Sequence, residues 1–216
     1  NFPQTNFDKI PGSPISYWAT EININQLKVF EKLGDVEDCK KGADTGKNEK
    51  FLRLWFEINK QKTGYQKKWI FYNKGGSFRR WYGNYDYCVN WENNGYELEN
   101  STANLRSKHH YFKESLTWNA LSSGNFSIRF SDKQTIFDSA GSSLFYNLKK
   151  SDYNYYLALL NSKVIQKYLY ILNPTFNYGA GTISKLPLKI TNEQEVIHIS
   201  KKCIKIKKKD WLSREY

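Results

Sequence analysis

Between Asn73 and Gly95 the chain reads NKGGSFRRWYGNYDYCVNWENNG, with Asn, Lys and Arg set among Trp and Tyr. Asn pairs bidentately with adenine and Arg with guanine on the major-groove edge, and guanidinium forks also clamp phosphates. The chemistry this stretch fits is recognition of nucleic acid. A plainer reading makes it a glycine turn followed by a half-buried hairpin, with Trp81, Tyr82, Tyr85 and Trp91 in the core or paired across strands.

Patterns that would make or break bonds are weaker. NPTF, Asn173 to Phe176, echoes the NPPY-type tetrapeptide of amino-methyltransferases, but it follows a helical pattern instead of a strand and lacks the second proline. GAGT, Gly179 to Thr182, echoes a cofactor loop, yet such a loop joins a strand to a helix whose N-terminus receives the ligand, and here a helix end precedes it. Both read as a stop and a turn. His109 and His110 are adjacent, so they point apart and have no spaced thiol or carboxylate to complete a metal site. Ser122 and Ser123 lack a histidine and an acid at triad spacing. No catalytic, cofactor or metal residue is assigned.

Composition agrees with a polyanionic partner. The 216 residues carry a formal charge of +12, which favours phosphates, although the joint abundance of Lys, Asn, Ile and Tyr is also what an AT-rich genome gives. The arginines are few, and Arg79 and Arg80 adjoin inside the opening stretch. Three separated cysteines without a CxxC pair suggest neither disulfides nor zinc and fit a reducing cytoplasm. No apolar run is long enough to span a bilayer, so no membrane partner is expected. The chain starts at Asn1 and contains no methionine, which suggests a piece of a longer protein.

The elements that would position these residues follow from periodicity. Ile24, Leu27, Phe30 and Leu33 predict a helix over about 21 to 33. From 36 to about 145, short aromatic and branched runs between Gly, Asn, Asp and Ser clusters predict strands at Phe51 to Ile58, Lys68 to Tyr72, Tyr87 to Trp91, Leu116 to Ala120, Phe126 to Phe130 and Thr135 to Asp138. Tyr153, Tyr156, Leu157, Leu160, Val164, Tyr168 and Leu172 form one stripe of a long amphipathic helix, capped by Asp152 and ended by Pro174. A strand-like ISKLPLKI and a last helix from near Thr191 complete the chain. The run Lys201, Lys202, Lys205, Lys207, Lys208 and Lys209 reads first as a solvated helix face. The fold class is α+β: a β-rich region over 1 to 150 with a short N-terminal helix, then helices over 151 to 216 that complete the same domain.

Several blocks carry a resemblance. FYNKGGSFRRWYGNYDYCVNWENNG, the opening FDKIPGSPISYW, KKGADTGKNEKFLRLWFEI, YFKESLTWNALSSGNFSIRF with IFDSAG, and LALLNSKVIQKYLYILNPTFNYGAGTISKLP closely resemble, in the same order, segments of the large adenine-specific DNA methyltransferases of bacterial BREX phage-defence systems, the PglX family. The resemblance covers nearly the whole chain. In that family these segments lie C-terminal to the methyltransferase domain and form a target recognition domain like those of type I restriction specificity subunits. It implies a parent enzyme that uses S-adenosylmethionine to methylate adenine N6 in a short duplex sequence, with the cofactor and catalytic residues outside this chain. The implied partners are double-stranded DNA, the methyltransferase domain of the same parent and other phage-defence proteins.

By matching motif, Gly42, Thr45, Gly46 and Asn48 of GADTGKN occupy the family's turn at a strand end, where they can approach phosphate or serve purely as a turn. Lys74, Arg79, Arg80, Arg106, Lys108 and Lys113 are the phosphate or guanine candidates, and Asn73, Asn84 and Ser123 the further base-contact candidates. Three rivals share some of these features: the specificity portion of a combined endonuclease and methyltransferase, a carbohydrate-binding module, and a docking surface for other defence proteins. On the sequence alone, alanine at both Arg79 and Arg80 is expected to weaken duplex binding and leave the domain folded, as read by a low-salt titration beside a thermal melt.

Overall fold

The computed structural model describes residues 4–122 and 124–213. The protein is α+β, with two open mixed sheets. After a 3-10 turn at Gln4–Lys9, α1 spans Glu21–Val29, and Thr20 caps it by accepting from the Asn23 amide at 3.3 Å. The helix expected to reach residue 33 stops at Val29. Phe30 is extended, and a separate turn, α2 at Leu33–Val36, starts where the Asp35 carboxylate accepts from the Lys32 amide.

The strands are β1 Glu37–Lys40, β2 Leu52–Leu54, β3 Trp69–Asn73, β4 Trp81–Tyr82, β5 Tyr87–Asn90, β6 Ser115–Trp118, β7 Ile128–Ser131, β8 Thr135–Phe137 and β9 Ser143–Tyr146. All six expected strands are present, three of them trimmed and three (β3, β6, β7) shifted by one or two residues, and β1, β4 and β9 are additional. The second is cut to three residues because Glu57 accepts from the Leu54 amide at 2.7 Å and bends the chain into a 3-10 turn. α3, Asn48–Phe51, precedes it, and α4, Glu92–Glu99, follows β5.

One sheet has the order β1-β9-β6-β7-β4 and the other β2-β5-β3-β8. The expected hairpin within 73 to 95 does not form as such. β3 and β5 are antiparallel neighbours, but the segment between them crosses to the other sheet, where β4 pairs parallel to β7 through Trp81↔Arg129 and Tyr82↔Phe130. Residues 74–86 therefore strap the two sheets together. Tyr82, Tyr85 and Trp91 are buried, as a core role requires.

Strand β7 and its lead-in show why this strap is polar. In FSIRFS, residues alternate faces with period two. Phe126, Ile128 and Phe130 join the core that the five-stranded sheet shares with α1 and the later helices, whereas Ser127, Arg129 and Ser131 are buried polar residues on the other face.

The long helix is two helices, α5 Tyr153–Leu160 and α6 Lys163–Leu172. Asn161 ends the first by turning its amide onto β7, donating to the Ile128 carbonyl at 2.9 Å and accepting from the Ile128 N–H at 3.2 Å. Ser162 then caps the second. The break rotates the stripe, so Val164 faces solvent at 60% exposure while Leu160 and Leu169 are buried. Asp152 caps α5, as expected. ISKLPLKI is not a strand: Gly179 precedes the one-turn α7, Ala180–Ile183, and the chain beyond makes only an isolated bridge, Lys32↔Pro187. α8, Glu193–Leu212, keeps its six lysines exposed and returns to the strap by burying Trp211 against Tyr82 and Tyr85.

Alanine at Leu160 or Leu169 is expected to cost about 2–5 kcal/mol in urea unfolding, and alanine at Val164 within about 0.5 kcal/mol of zero. A second expectation concerns acid. His110 is buried, stacks on Phe145 at 4.3 Å, and burial, helped by His109 and opposed by Asp38, pushes its pKa down to about 4. A depressed imidazole pKa means the unfolded chain binds the extra proton, so stability should fall as pH drops from about 6.5 towards 4, by on the order of 2–3 kcal/mol. His110→Asn should flatten that part of the melting-temperature profile.

Candidate nucleic-acid interface

β3 and β8 run parallel, with Asn73 opposite Phe137, so the chain leaves both at the same end of the sheet. Two further turns pack onto that end. A Cβ on Gly42 would stand 2.0 Å from the Phe137 carbonyl oxygen, and one on Gly141 1.9 Å from that of Asn73. Only glycine allows such backbone contact, which brings together residues 42–48, 74–80 and 138–142.

Polar side chains knit this surface. The Thr45 hydroxyl donates to Asn48 Oδ1 at 2.6 Å, and Lys74 Nζ donates to the same oxygen at 3.2 Å and to Asp138 at 3.3 Å. Arg106 Nη1 donates to Asp44 at 2.9 Å, and the Ser139 hydroxyl donates to its other oxygen at 3.0 Å. Burial raises the Asp44 pKa, but these hydrogen bonds and the Arg106 charge outweigh it and leave the carboxyl below its ordinary value. Gly46, with φ +70°, completes the turn against Thr102. Gly46, Asn48, Lys74 and Arg106 thus share one surface, while Gly42 and Thr45 are buried beneath it and support the turn.

The remaining candidates fall differently. Asn73 is 1% exposed and donates to Ser131 at 2.7 Å; Asn84 is 2% exposed, accepts from Arg79 Nε at 2.9 Å and donates to the Ser77 carbonyl at 2.9 Å. Both amides are engaged inside the strap instead of facing outward. Arg79 also lies over the Trp211 ring at 4.7 Å, so it fastens α8. Its removal would loosen the fold, and the expectation of a stable double alanine variant passes to Arg80 alone. Arg80 sits half-buried, 5.3 Å over the exposed Phe78 ring. Lys108 pairs with Glu99 at 2.6 Å. Lys113 adjoins Phe112, whose amide donates to the Thr135 carbonyl, and so lies by the opposite end of β8. Ser123 lies outside the described residues.

Two lysines were missed. Lys41 and Lys47 flank the Gly42–Gly46 turn, are exposed and have no ion pair among the described residues. Their signal was present in KKGADTGKN, where lysine brackets the turn. Beside Gly76, Ser77 and Phe78 runs an open groove whose far side carries Leu121, Phe176 and Asn177. Phe78, Leu121 and Phe176 are exposed, which offers apolar rims next to polar backbone. The arrangement can bind through backbone amides, ammonium groups and exposed rings.

The structure places neither short match, NPTF or GAGT, after a strand. Gly179 and Gly181 border open space and lead into a single helical turn, with no strand before them, and Pro174–Asn177 is exposed.

No protein-family model matches the chain. It is 38% identical over 231 aligned residues to the adenine-specific methyltransferase PglX of Lacticaseibacillus casei (strain Zhang), and 41% identical over 218 to the adenine-specific methyltransferase BrxX of Escherichia coli O9:H4 (strain HS). Each alignment covers 98% of this chain but only 19% and 18% of the relative. The chain therefore spans about a fifth of the length of the curated relatives it matches. Over nearly all of its length it is homologous to one segment of the PglX and BrxX adenine-specific methyltransferases.

Proposed function

We propose that this chain is the duplex-DNA recognition domain of a PglX-type, site-specific adenine methyltransferase in a BREX phage-defence system of the cytoplasm. The observation that carries the reading is the convergence of the Gly42–Asn48 turn, the Lys74–Arg80 strap and the Asp138–Ser142 turn on one end of a sheet, with Lys41 and Lys47 exposed beside them. Lysine and the exposed backbone at Gly46 and Gly76 are groups that hold phosphates and set register, while side chains between them read base edges.

In this reading the parent transfers a methyl group from S-adenosylmethionine to adenine N6. The target base must leave the stack, at a cost of a few kcal/mol, before chemistry can reach it. A rigid domain that grips the flanking duplex supplies the interactions that offset this cost. The methyltransferase domain of the same parent chain is the proposed neighbour. An apolar patch of Ile15, Tyr17 and Tyr170 around Trp18 suits its docking, since Trp18 and Tyr170 rings stand 4.7 Å apart and three of these four residues are exposed.

Duplex affinity of the intact parent should fall steeply with salt, because phosphate neutralisation releases counterions. Alanine at both Lys41 and Lys47 should reduce the slope of log K against log salt by about 2, if each neutralises one phosphate. Salt-independent binding would point to the carbohydrate or protein-docking alternatives. Arg80→Ala should alter or abolish the methylated-adenine motif seen by methylation-sensitive sequencing at an unchanged protein level.

A further inference from the structure

Arg129 on β7 has no exposed surface. Among the described residues its guanidinium makes one hydrogen bond, Nη2 to Asn119 Oδ1 at 2.8 Å, while Nε and Nη1 have no partner. Burial pushes its pKa down to about 10, so it stays charged at neutral pH. A buried, barely partnered cation is costly, which makes what it does to Asn119 informative.

A guanidinium only donates, so Asn119 must turn its oxygen towards Arg129 and its Nδ2 the other way. There Nδ2 donates to the carbonyls of Gly76 at 2.6 Å and Ser77 at 3.3 Å. Asn84 pulls on the Ser77 carbonyl from a second direction at 2.9 Å. In a trans peptide the N–H points opposite its carbonyl. Two inward carbonyls therefore turn the backbone N–H groups of Ser77 and Phe78 outward. Both residues are exposed, both line the open groove, and neither N–H has a hydrogen-bond partner among the described residues. Adjacent outward amides form an anion-binding concavity, and Arg129 stands behind it as a positive charge.

We propose that the Ser77 and Phe78 amides hold a DNA backbone phosphate, and that Arg129 and Asn119 are the positioning residues that orient them. The inference rests on the DNA reading above and adds a specific contact to it. A phosphate fixed here would set the register of the duplex against the Arg80 side chain two residues on.

Asn119→Asp separates positioning from mere support. The carboxylate keeps an acceptor for Arg129 and improves its charge pairing, but it removes the donor to Gly76 and Ser77 and repels their carbonyls. In the intact parent enzyme we expect a melting temperature at or above that of the unaltered protein, about tenfold weaker binding to a duplex carrying its methylation site, and a salt slope reduced by about 1. Should Asn119→Asp fail to fold, Arg129→Met, which removes the donor and the charge at similar volume and so frees the Asn119 amide to turn, carries the same comparison. A folded variant with unchanged affinity and slope overturns this inference alone. An unaltered parent that shows no salt-dependent duplex binding overturns it together with the DNA reading.

Discussion

The strap at the candidate interface depends on the two-faced character of one short strand. β7 turns Ile128 and Phe130 into the helical core and Ser127, Arg129 and Ser131 towards the strap. Ser127 accepts from the Arg79 amide at 3.3 Å, Arg129 reaches the strap through Asn119, and Ser131 accepts from Asn73 at 2.7 Å. Three alternate residues thus hold the start, middle and end of residues 73–79. Because side chains repeat with period two, slipping this strand by one residue would put Phe and Ile against the strap and charge into the core. The hydrophobic face therefore fixes the polar one.

That coupling extends to distant parts of the chain. Asn161, at the break between α5 and α6, clasps the Ile128 backbone from the apolar side, so the helix break and the strand register are set together. From the other direction Arg79 carries Trp211, and with it the C-terminal end of α8. Loops alone would be mobile; here the strap is fastened to a strand, a helix break and a helix end. Binding through a surface already ordered loses less conformational entropy than binding through one that must be ordered on contact.

The sequence made some of this legible. The strand over Phe126 to Phe130, the Asp152 cap and the apolar stripe as far as Leu160 all rest on patterns of a few residues, and each appears in the structure. Non-local pairing was hidden. β4 is two residues long, and its partner lies almost fifty positions away, so no local pattern distinguishes a strap from a hairpin. The Leu-Asn-Ser break was missed because Asn161 prefers the Ile128 backbone to another helical turn, a tertiary preference that periodicity does not contain. The polar candidates in the strap mixed two roles for the same reason: an Asn that supports a loop and an Asn that would read a base have the same neighbours in sequence and differ only in which way the fold turns them.

Charge illustrates how far composition reaches. The net +12 suggests a broadly adhesive surface, yet Lys74 is paired with Asp138, Arg106 with Asp44 and Lys108 with Glu99. Such pairs leave little net field beyond their own dimensions, and in water each exposed pair contributes at most about 1 kcal/mol to stability. Their value lies in direction, since Lys74 and Arg106 each draw a separate turn onto the sheet end. At the sheet end, what is left to attract an anion is a smaller set, Lys41, Lys47 and backbone amides turned outward by buried neighbours. On the proposed reading, such a surface meets a duplex with few free charges in fixed positions, so attraction and register come from the same groups.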